Sequence, residues 1–402
     1  MMRDYFAVAP KGLEDVTARE LEALGAVDIE LTMGGVYFSG TTETLYKANL
    51  WLRSASRILM PLREFAAASQ EMLYDQVRRM KWHEYLDPEK TFAIDCSLAN
   101  SRITHSHFAA LKAKDAIVDQ LRTKYEGLRP DIDTKDPDVK INLFINNNRC
   151  IISLDSSGES LHRRGYRTGG GAAPLKENLA AALLLRAGYD GTMALLDPMC
   201  GTGTFLIEAA YIALDCAPGL SRRKFGFFNW PDFDQKLWDD IVEQAQARVR
   251  RKIPAPIIGS DRDRRAVDIA LKNVKTAGVS KFVVVRRQDL ENFKPEFEGQ
   301  IGMIVTNPPY GERIGATGSA QGDLSVLYKT LGDVMKTNFQ GWTGYVLTGN
   351  LEMAKQVGLH AARRFEVYNG PIESRFLKYE LYKGSKKKSR QVQSGNDGDV
   401  EN

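Results

Sequence analysis

From residue 193 to residue 347, short β-type runs alternate with longer helical segments, and this alternation limits the fold more than any other feature. The β-type runs lie at residues 193–196, 256–259, 282–286, 302–306 and 344–347. Strands that are separated by helices pair in parallel, because each helix returns the chain to the same end of the sheet. The alternation therefore predicts an α/β domain that contains a doubly wound parallel sheet.

The part of the chain before residue 161 mixes strands and helices in a different order. Its first segment reads as strand, helix, strand, strand and helix, with a hairpin at Gly34 and Gly35. The predicted elements are residues 5–9, 13–24, 27–31, 36–38 and 42–54. The second segment contains predicted strands at 91–97, 139–145 and 150–154 and a helix at 105–124. Both segments are α+β, and the order in the first resembles a ferredoxin-like module.

A basic and glycine-rich stretch at residues 163–171 marks the clearest domain boundary. A helix follows it, because Leu175, Leu179 and Leu183 recur at helical spacing. The sequence therefore predicts four segments. They are a ferredoxin-like module at 1–60, a second α+β domain at 61–160, the α/β domain at 161–384 and a polar, disordered tail at 385–402.

Length and composition exclude several classes of protein. A chain of 402 residues with 43% hydrophobic and 26% charged residues is long enough for two or three globular domains and is not fibrous. Its longest uncharged run, residues 337–351, is too short to span a membrane. The N-terminus does not read as a secretory signal, and the four cysteines have neither zinc-site nor disulfide spacing. We expect no metal site and a location in the reducing cytoplasm.

Basic residues are concentrated in two regions, the C-terminal tail and the insertion at 214–254, and we interpret the tail as a solvated feature rather than a specific RNA contact. The formal charge of the chain is +4, and part of the excess lies in the tail at Lys386, Lys387, Lys388 and Arg390. This excess permits a nucleic-acid partner without showing one. The insertion at 214–254 interleaves basic residues with phenylalanines and tryptophans. These aromatics either stack on RNA bases or pack the insertion onto the sheet while its charges face solvent.

A glycine turn follows the first β-type run of the α/β domain. The run Asp197-Pro198-Met199-Cys200-Gly201-Thr202-Gly203-Thr204 passes from a strand into a helix. Gly201 and Gly203 allow the backbone to approach a ligand closely. Leu206 stands where a dinucleotide-binding turn has its third glycine, which weakens a pyrophosphate-binding role, and Asp197 favours a ligand with a cationic part. The alternative is an ordinary strand-to-helix connection. We interpret Cys200 as a packing residue.

Carboxylates follow the next two β-type runs. Asp261 ends the run near residue 260, where a carboxylate can accept hydrogen bonds from the two hydroxyls of a ribose. About 60 residues separate Asp261 from the glycine turn, and the insertion accounts for this long spacing. Asp289 follows the run near residue 285, and as an isolated feature it is equally typical of a solvated loop.

The sequence Asn307-Pro308-Pro309-Tyr310 ends the fourth β-type run. Two prolines make the backbone rigid and remove its donors, so the Pro308 carbonyl and the Asn307 amide oxygen are both available as acceptors. A planar base with an exocyclic amine can donate to both while it stacks on Tyr310. The alternative is a rigid turn after a core strand.

These motifs, in this order, resemble the class I S-adenosylmethionine-dependent amino-methyltransferases. In the N-terminal half, the sequences around residues 112–119, 153–158 and 162–167 resemble the THUMP-domain RNA methyltransferases. The likeness is greatest to the bacterial enzymes that form N2-methylguanosine in large-subunit (23S) rRNA, and it extends from Tyr5 to about Tyr382. The resemblance implies a Rossmann-like class I methyltransferase domain that is preceded by an α+β ferredoxin-like and THUMP region, with the THUMP domain at 61–160.

The resemblance also implies a role for each motif residue. Asp197, Gly201 and Gly203 border the methionine part of S-adenosylmethionine, Asp261 holds its ribose, and Asp289 and Leu290 face its adenine. Asn307 and Pro308 hold the target amine, and Tyr310 stacks on the base. Lys176, Glu177 and Asn178 match a family motif that lines the cofactor pocket.

The expected function is therefore methylation of the N2 amine of a guanine in 23S rRNA, with the base flipped out of its stack. RNA is the expected partner, as free rRNA or as an assembling ribosomal particle, and the oligomeric state is open. The alternatives are a tRNA guanine-N2 methyltransferase, an adenine-N6 DNA methyltransferase and a non-catalytic rRNA-binding assembly factor. Some family members carry a second methyltransferase domain, and we expect this chain to catalyse one reaction only. We interpret His105 and His107 as surface or packing residues.

Overall fold

The computed structural model describes residues 1–169, 175–296, 299, 301–311 and 318–382, and only the backbone of residues 318–322. The predicted tail at 385–402, with its four basic residues, lies outside the described residues. Gly170 and Gly171 of the glycine-rich stretch lie outside them as well. Within the described part of the chain, no helix is long and apolar enough to cross a membrane.

The N-terminal elements follow one another as strands and helices of moderate length. In chain order they are β1 (Arg3–Val8), α1 (Glu14–Ala23), β2 (Val27–Thr32), β3 (Gly35–Gly40), α2 (Thr42–Trp51), β4 (Arg57–Ala66), α3 (Gln70–Arg78), β5 (Thr91–Ala99), α4 (Ser106–Lys124), β6 (Asp131–Ile132), β7 (Val139–Asn146) and β8 (Arg149–Asp155).

The C-terminal elements alternate as the sequence predicts. In chain order they are α5 (Glu177–Arg186), β9 (Ala194–Asp197), α6 (Thr204–Ala213), α7 (Gln235–Arg248), β10 (Ile257–Asp261), α8 (Arg264–Thr276), β11 (Val283–Arg287), β12 (Gly302–Thr306), α9 (Gly318–Asn338), β13 (Thr343–Thr348), α10 (Leu351–Gln356), β14 (Arg363–Asn369) and β15 (Ile372–Glu380).

The first eight strands form one sheet in the order β2-β3-β1-β4-β8-β7-β5-β6. The sequence pattern missed β4, which completes the ferredoxin-like module and pairs with both β1 and β8. Pro61, Arg63 and Glu64 interrupt its apolar alternation. The pairing of β4 with β8 is irregular between Pro61 and Arg63, as expected where a proline cannot donate to the ladder.

The second sheet has the order β11-β10-β9-β12-β13-β15-β14. The first five of these strands are parallel, which confirms the predicted doubly wound α/β architecture. The hairpin of β14 and β15 was not predicted, and β15 pairs antiparallel with β13. Strand β14 begins with the charged residues Arg363 and Arg364, so the sequence shows no apolar run at its start. The sheet is therefore mixed rather than wholly parallel.

The described chain divides into two compact units that are not contiguous in sequence. The first comprises Met1–Gly165, Glu177–Ala182 and Asp215–Val249, and the second comprises Tyr166–Lys176, Leu183–Leu214 and Arg250–Asn402. The sequence predicted contiguous segments and placed the insertion at 214–254 inside the α/β domain. In the structure, most of the insertion belongs to the same compact unit as the N-terminal region.

Most aromatic side chains of the insertion are buried, and Phe228 and Phe233 are half-buried. Phe225, Phe227 and Trp238 belong to the core of the first unit, and Phe227 stacks on Tyr46 of α2 with ring centroids 4.5 Å apart. Arg222 donates to the backbone carbonyls of neighbouring turns rather than standing free. The packing alternative is thus correct for these residues, although they pack within the N-terminal unit instead of on the C-terminal sheet. They are not available to stack on RNA bases.

Candidate cofactor and base-binding site

The predicted site residues lie at the carboxyl ends of adjacent parallel strands. Strand β9 lies between β10 and β12, and Asp197 of β9 is level with Gly259 of β10. Strands β9, β10 and β12 end at one edge of the sheet, which is where ligands bind in doubly wound folds. Thr306 at the end of β12 donates from Oγ1 to Asp197 Oδ1 at 2.8 Å. The structure thus brings together motifs that lie more than 100 residues apart in sequence.

The glycine turn depends on two left-handed residues. Gly201 has φ +52° and Gly203, at the N-terminus of α6, has φ +83°. A Cβ on Gly203 would lie 3.4 Å from Ala270 Cβ of α8, whereas a Cβ on Gly201 would meet nothing within 4 Å. Glycine is therefore required for conformation at both positions, and at Gly201 it also leaves open space in front of the turn.

Asp197, at the end of β9 before the glycine turn, is a buried carboxylate. Its side chain is 2% exposed, and Oδ1 accepts hydrogen bonds from Thr306 Oγ1 and from the Met199 backbone N–H. Burial raises the pKa of Asp197 to about 7, Thr306 and Met199 lower it in part, and the nearby Asp261 raises it further. A ligand that brings a positive charge favours the ionised carboxylate.

Asp261 connects the glycine turn to the end of β10. Its Oδ2 accepts from the Gly201 backbone N–H at 3.0 Å, and its Oδ1 accepts from the Asp263 backbone N–H at 2.9 Å. Each carboxylate oxygen has a second lone pair, so Asp261 can still accept from two hydroxyls of a ligand. This geometry suits a ribose beside the turn.

Asp289 and Leu290 follow β11, the strand next to β10. Asp289 is exposed, and it precedes a short 3-10 turn at Leu290–Asn292. Leu290 is buried in the same core cluster as Leu196, Ile258 and Ile304. The structure therefore places Asp289 at the ligand-binding edge, while Leu290 contributes to the core. Their assignment to the adenine remains a prediction.

The Asn-Pro-Pro-Tyr turn is held by side chains from two neighbouring elements. Tyr328 of α9 donates from its hydroxyl to the Pro309 carbonyl at 3.2 Å. Asn350, which precedes α10, donates from Nδ2 to the Tyr310 carbonyl at 2.9 Å. No described residue donates to the Pro308 carbonyl. Within the described part of the chain, the Pro308 carbonyl is thus a rigid acceptor that is open to a ligand.

Tyr310 contacts Asn307 directly. Its hydroxyl donates to Asn307 Oδ1 at 2.7 Å, and its ring packs against Gly349, where a Cβ would lie 3.0 Å from Cδ2. The hydrogen bond orients the Asn307 amide, whose oxygen keeps a second lone pair. The strand-end residues Asn307 and Tyr310 therefore form one polar and aromatic unit.

Several functional neighbours were not found from sequence. Thr306, Thr348 and Asn350 are polar residues at or just after the ends of apolar strands, and this position is the signal that could have identified them. Tyr328 is a fully buried residue on a long helix. Nothing in the local sequence distinguishes it from an ordinary core residue.

Other predicted residues lie in structural positions. Asn178 donates from Nδ2 to the Ser54 carbonyl at 2.9 Å, inside the first compact unit. The pocket role of Lys176, Glu177 and Asn178 therefore remains a prediction. Cys200 is buried with its thiol pKa raised well above the usual value by burial, which is consistent with packing.

Cysteines and histidines form no metal site among the residues that the structure describes. The four cysteines are free thiols. His105 and His107 are exposed at the start of α4.

Comparison with protein families identifies three regions of the chain. Residues 164–378 match the family described as the RMKL-like methyltransferase domain. Residues 4–59 match the RlmL ferredoxin-like domain, and residues 67–155 match the THUMP domain. The likeness that the motifs suggested is thus confirmed over nearly the whole described chain.

Individual relatives agree with these matches. The ribosomal RNA large subunit methyltransferase K/L of Syntrophotalea carbinolica is 45% identical over 94% of this chain and 53% of its own length. The Synechocystis protein slr0064, named as a candidate RNA methyltransferase, is 43% identical over 94% of this chain and 97% of its own. The chain therefore spans about half the length of the K/L relatives and nearly all of slr0064.

A solved structure shows the same fold with a cofactor product bound. SMU.472, a candidate methyltransferase crystallised with S-adenosylhomocysteine (SAH), superposes with a TM-score of 0.84 and 32% identity, covering 96% of this chain and 99% of the other. The residues of this chain fit S-adenosylmethionine, since the open space at Gly201 lies beside Asp197 and Asp261. S-adenosylmethionine is the cofactor, and the chain belongs to the RMKL-like methyltransferase family, with a ferredoxin-like and a THUMP domain before the methyltransferase domain.

Proposed function

We propose that the protein transfers a methyl group from S-adenosylmethionine to the exocyclic N2 amine of a guanine in large-subunit rRNA. The observation that carries this proposal is the Asn-Pro-Pro-Tyr turn, whose two acceptors lie at the strand end next to the cofactor turn. The names of the K/L relatives favour rRNA as the substrate. The THUMP match supports RNA over DNA.

When bound, S-adenosylmethionine supplies an electrophilic methyl group on a sulfonium. Asp197 would face the cationic part of the bound methionine, and Asp261, which accepts from the Gly201 backbone N–H, would also accept from the ribose hydroxyls. Gly201 leaves room for the ligand in front of the turn. These contacts fix the direction from which a nucleophile must approach.

The target amine is oriented by two acceptors. One N–H donates to Asn307 Oδ1 and the other to the Pro308 carbonyl, which favours a pyramidal nitrogen with its lone pair directed at the methyl group. The flipped guanine stacks its ring on Tyr310. No strong proton acceptor is required for the reaction. After transfer the nitrogen loses one of its two protons to water, because an arylammonium is strongly acidic. Orientation and electrostatics then account for most of the rate.

We place this activity in the cytoplasm, where rRNA is made and where free thiols such as the four cysteines persist. The substrate is free rRNA or an assembling particle. The protein then modifies its target before or during ribosome assembly.

The test is transfer of labelled methyl from S-adenosylmethionine to purified rRNA, tRNA and DNA, followed by nucleoside analysis. We expect N2-methylguanosine in 23S rRNA, and we expect Asn307→Ala to lower transfer at least about 100-fold, since it removes one of two amine acceptors in the transition state. SAH binding by Asn307→Ala, measured by calorimetry, should stay close to that of the wild type.

Each other outcome changes the proposal in a defined way. N2-methylguanosine in tRNA would retain the chemistry and replace the substrate. N6-methyladenine in DNA would overturn the base assignment. Transfer to assembling ribosomal particles alone would select the particle as substrate. SAH binding without transfer to any RNA, DNA or particle would favour a non-catalytic rRNA-binding factor.

A further inference from the structure

The segment Tyr166–Thr168 lies in the basic, glycine-rich stretch, and its side chains bond to the elements that support the cofactor turn. The Tyr166 hydroxyl donates to Glu208 Oε1 of α6 at 3.0 Å. Arg167 Nη2 donates to the Leu175 carbonyl at 2.8 Å and lies 3.5 Å from Thr204 Oγ1, the first residue of α6. Two consecutive residues, Tyr166 and Arg167, are thus directed toward α6, the helix that follows the glycine turn.

Thr168 bonds to α8 instead. Its backbone N–H and its hydroxyl both donate to Asn273 Oδ1, at 2.9 Å and 3.0 Å. Asn273 in turn donates from Nδ2 to the Thr202 carbonyl at 3.0 Å. Asn273 is 1% exposed. Because its amide oxygen and its amide nitrogen both form hydrogen bonds, this one buried side chain links Thr168 to Thr202.

The Thr202 carbonyl lies between the two left-handed glycines of the cofactor turn. This part of the chain belongs to neither a strand nor a helix, so no regular backbone ladder fixes its orientation. Helix α8 fixes it at two positions, through Asn273 and through Ala270, which packs against Gly203. Residues 270 and 273 share one helix face because they are three apart.

We propose that Asn273, together with Thr168, is a positioning pair that sets the conformation of the cofactor turn. The pair does not touch the methyl group or the base, and it acts through the Thr202 carbonyl. Loss of the pair therefore weakens cofactor binding and leaves the chemical step on the bound complex unchanged. The inference rests on the cofactor site of the proposed function and not on the identity of the RNA.

The test compares matched threonine variants by calorimetry with SAH as the ligand. Thr168→Val removes one donor to Asn273 without a change in shape, Thr168→Ser retains the hydroxyl, and Thr276→Val removes a threonine hydroxyl one turn away on α8. The Thr276 hydroxyl donates to the Lys272 carbonyl of its own helix at 3.0 Å. Thr168 is exposed, so its variants are expected to fold.

Thr168→Val should raise the SAH dissociation constant roughly threefold or more, as expected for one lost hydrogen bond. Thr168→Ser and Thr276→Val should bind like the wild type. Asn273→Ala should weaken binding roughly tenfold or more, and adding Thr168→Val to it should produce little further change, because the two residues act through one contact. The KM for S-adenosylmethionine should rise in both variants while kcat stays within about twofold.

The proposal is overturned if folded Thr168→Val and Asn273→Ala bind SAH as tightly as the wild type, or if Thr276→Val weakens binding equally. Should Asn273→Ala fail to fold, the comparison of Thr168→Val with Thr168→Ser decides the matter. Normal SAH binding by the wild type without methylation of any RNA would contradict the proposed function and leave the positioning pair intact. Absence of SAH binding to the wild type would contradict both.

Discussion

Asp197 is the residue that sets the electrostatics of the cofactor region. Its carboxylate is buried at the end of β9, and burial raises its pKa to about 7. Below that pH the folded protein keeps Asp197 protonated, whereas the unfolded chain ionises it near pH 4. The folded state thus binds the extra proton between these values, and stability falls as pH rises through this window.

Substitution of Asp197 tests this charge. The α-ammonium group of SAH favours the ionised form of Asp197, so wild-type affinity for SAH should rise up to about tenfold per pH unit below pH 7 and level off above it. Asp197→Asn cannot titrate, and its weaker affinity should be nearly independent of pH. Calorimetry between pH 5.5 and pH 8.5 measures both curves, and parallel curves for the two proteins would refute the assignment. The denaturation midpoint of Asp197→Asn should also fall less than that of the wild type between pH 5 and pH 7.

Several site residues could be named from sequence because their motifs are local. Asn307 and Tyr310 lie three residues apart, and their hydrogen bond links side chains that the sequence already places side by side. Tyr328 and Asn350 hold the same turn from positions about 20 and 40 residues further along. No short motif contains them. Asn350 has only its position after an apolar strand as a sequence signal, and Tyr328 is identified by the folded chain alone.

At the scale of secondary-structure elements, the glycine turn between β9 and α6 is the proposed place of contact with the cofactor. Gly201 and Gly278 both have positive φ, and a Cβ on either would meet nothing within 4 Å. Alanine at either position should therefore cause the same loss of stability through backbone strain. They differ in position, because Gly278 follows α8 and Gly201 is bonded to Asp261.

Alanine at these two glycines separates stability from ligand access. Gly201→Ala and Gly278→Ala should each lower the free energy of unfolding by about 1 kcal/mol, the usual cost of a left-handed residue with a Cβ. Only Gly201→Ala should abolish SAH binding, because its methyl group occupies the ligand space. Equal loss of binding in both variants would show that backbone strain, and not occupied space, is responsible. Thermal unfolding and calorimetry provide the two readings.

Elements with clear periodicity were predicted well, and those without it were missed. The five parallel strands are short apolar runs and were found with ends shifted by a few residues. Strand β4 was missed because Pro61 and charged residues break its alternation. Strand β14 begins with two arginines, and its position depends on pairing with β15 rather than on burial of both faces.

At the scale of the whole molecule, the first compact unit is completed by a segment that lies far along the chain. Residues Asp215–Val249 belong to this unit, and their aromatic side chains share its core with Tyr46. Phe227 is fully buried and has ring contacts with Tyr46, Phe225 and Trp238. The stability of the N-terminal region therefore depends on residues that the sequence places inside the methyltransferase segment.

Truncation of Phe227 tests this dependence. Phe227→Ala should lower the free energy of unfolding by about 3–5 kcal/mol, since it leaves a cavity in an aromatic cluster. Phe144→Ala, at a position that is 42% exposed, is the control and should cost less than about 1 kcal/mol. Urea denaturation followed by circular dichroism gives both values. Similar small losses would show that the insertion does not contribute to the core of this unit.

The sequence by itself determined the chemistry and the class of fold. The glycine turn, the acidic strand ends and the Asn-Pro-Pro-Tyr turn are each contained in a few residues, and the alternation of apolar runs with helices specifies parallel strands. Tertiary structure alone decided three other features: the burial that raises the pKa of Asp197, the bonds that link Thr168 to Thr202 through Asn273, and the placement of the insertion. Local patterns determine backbone conformation, whereas burial and long-range hydrogen bonds exist only after distant segments have packed together.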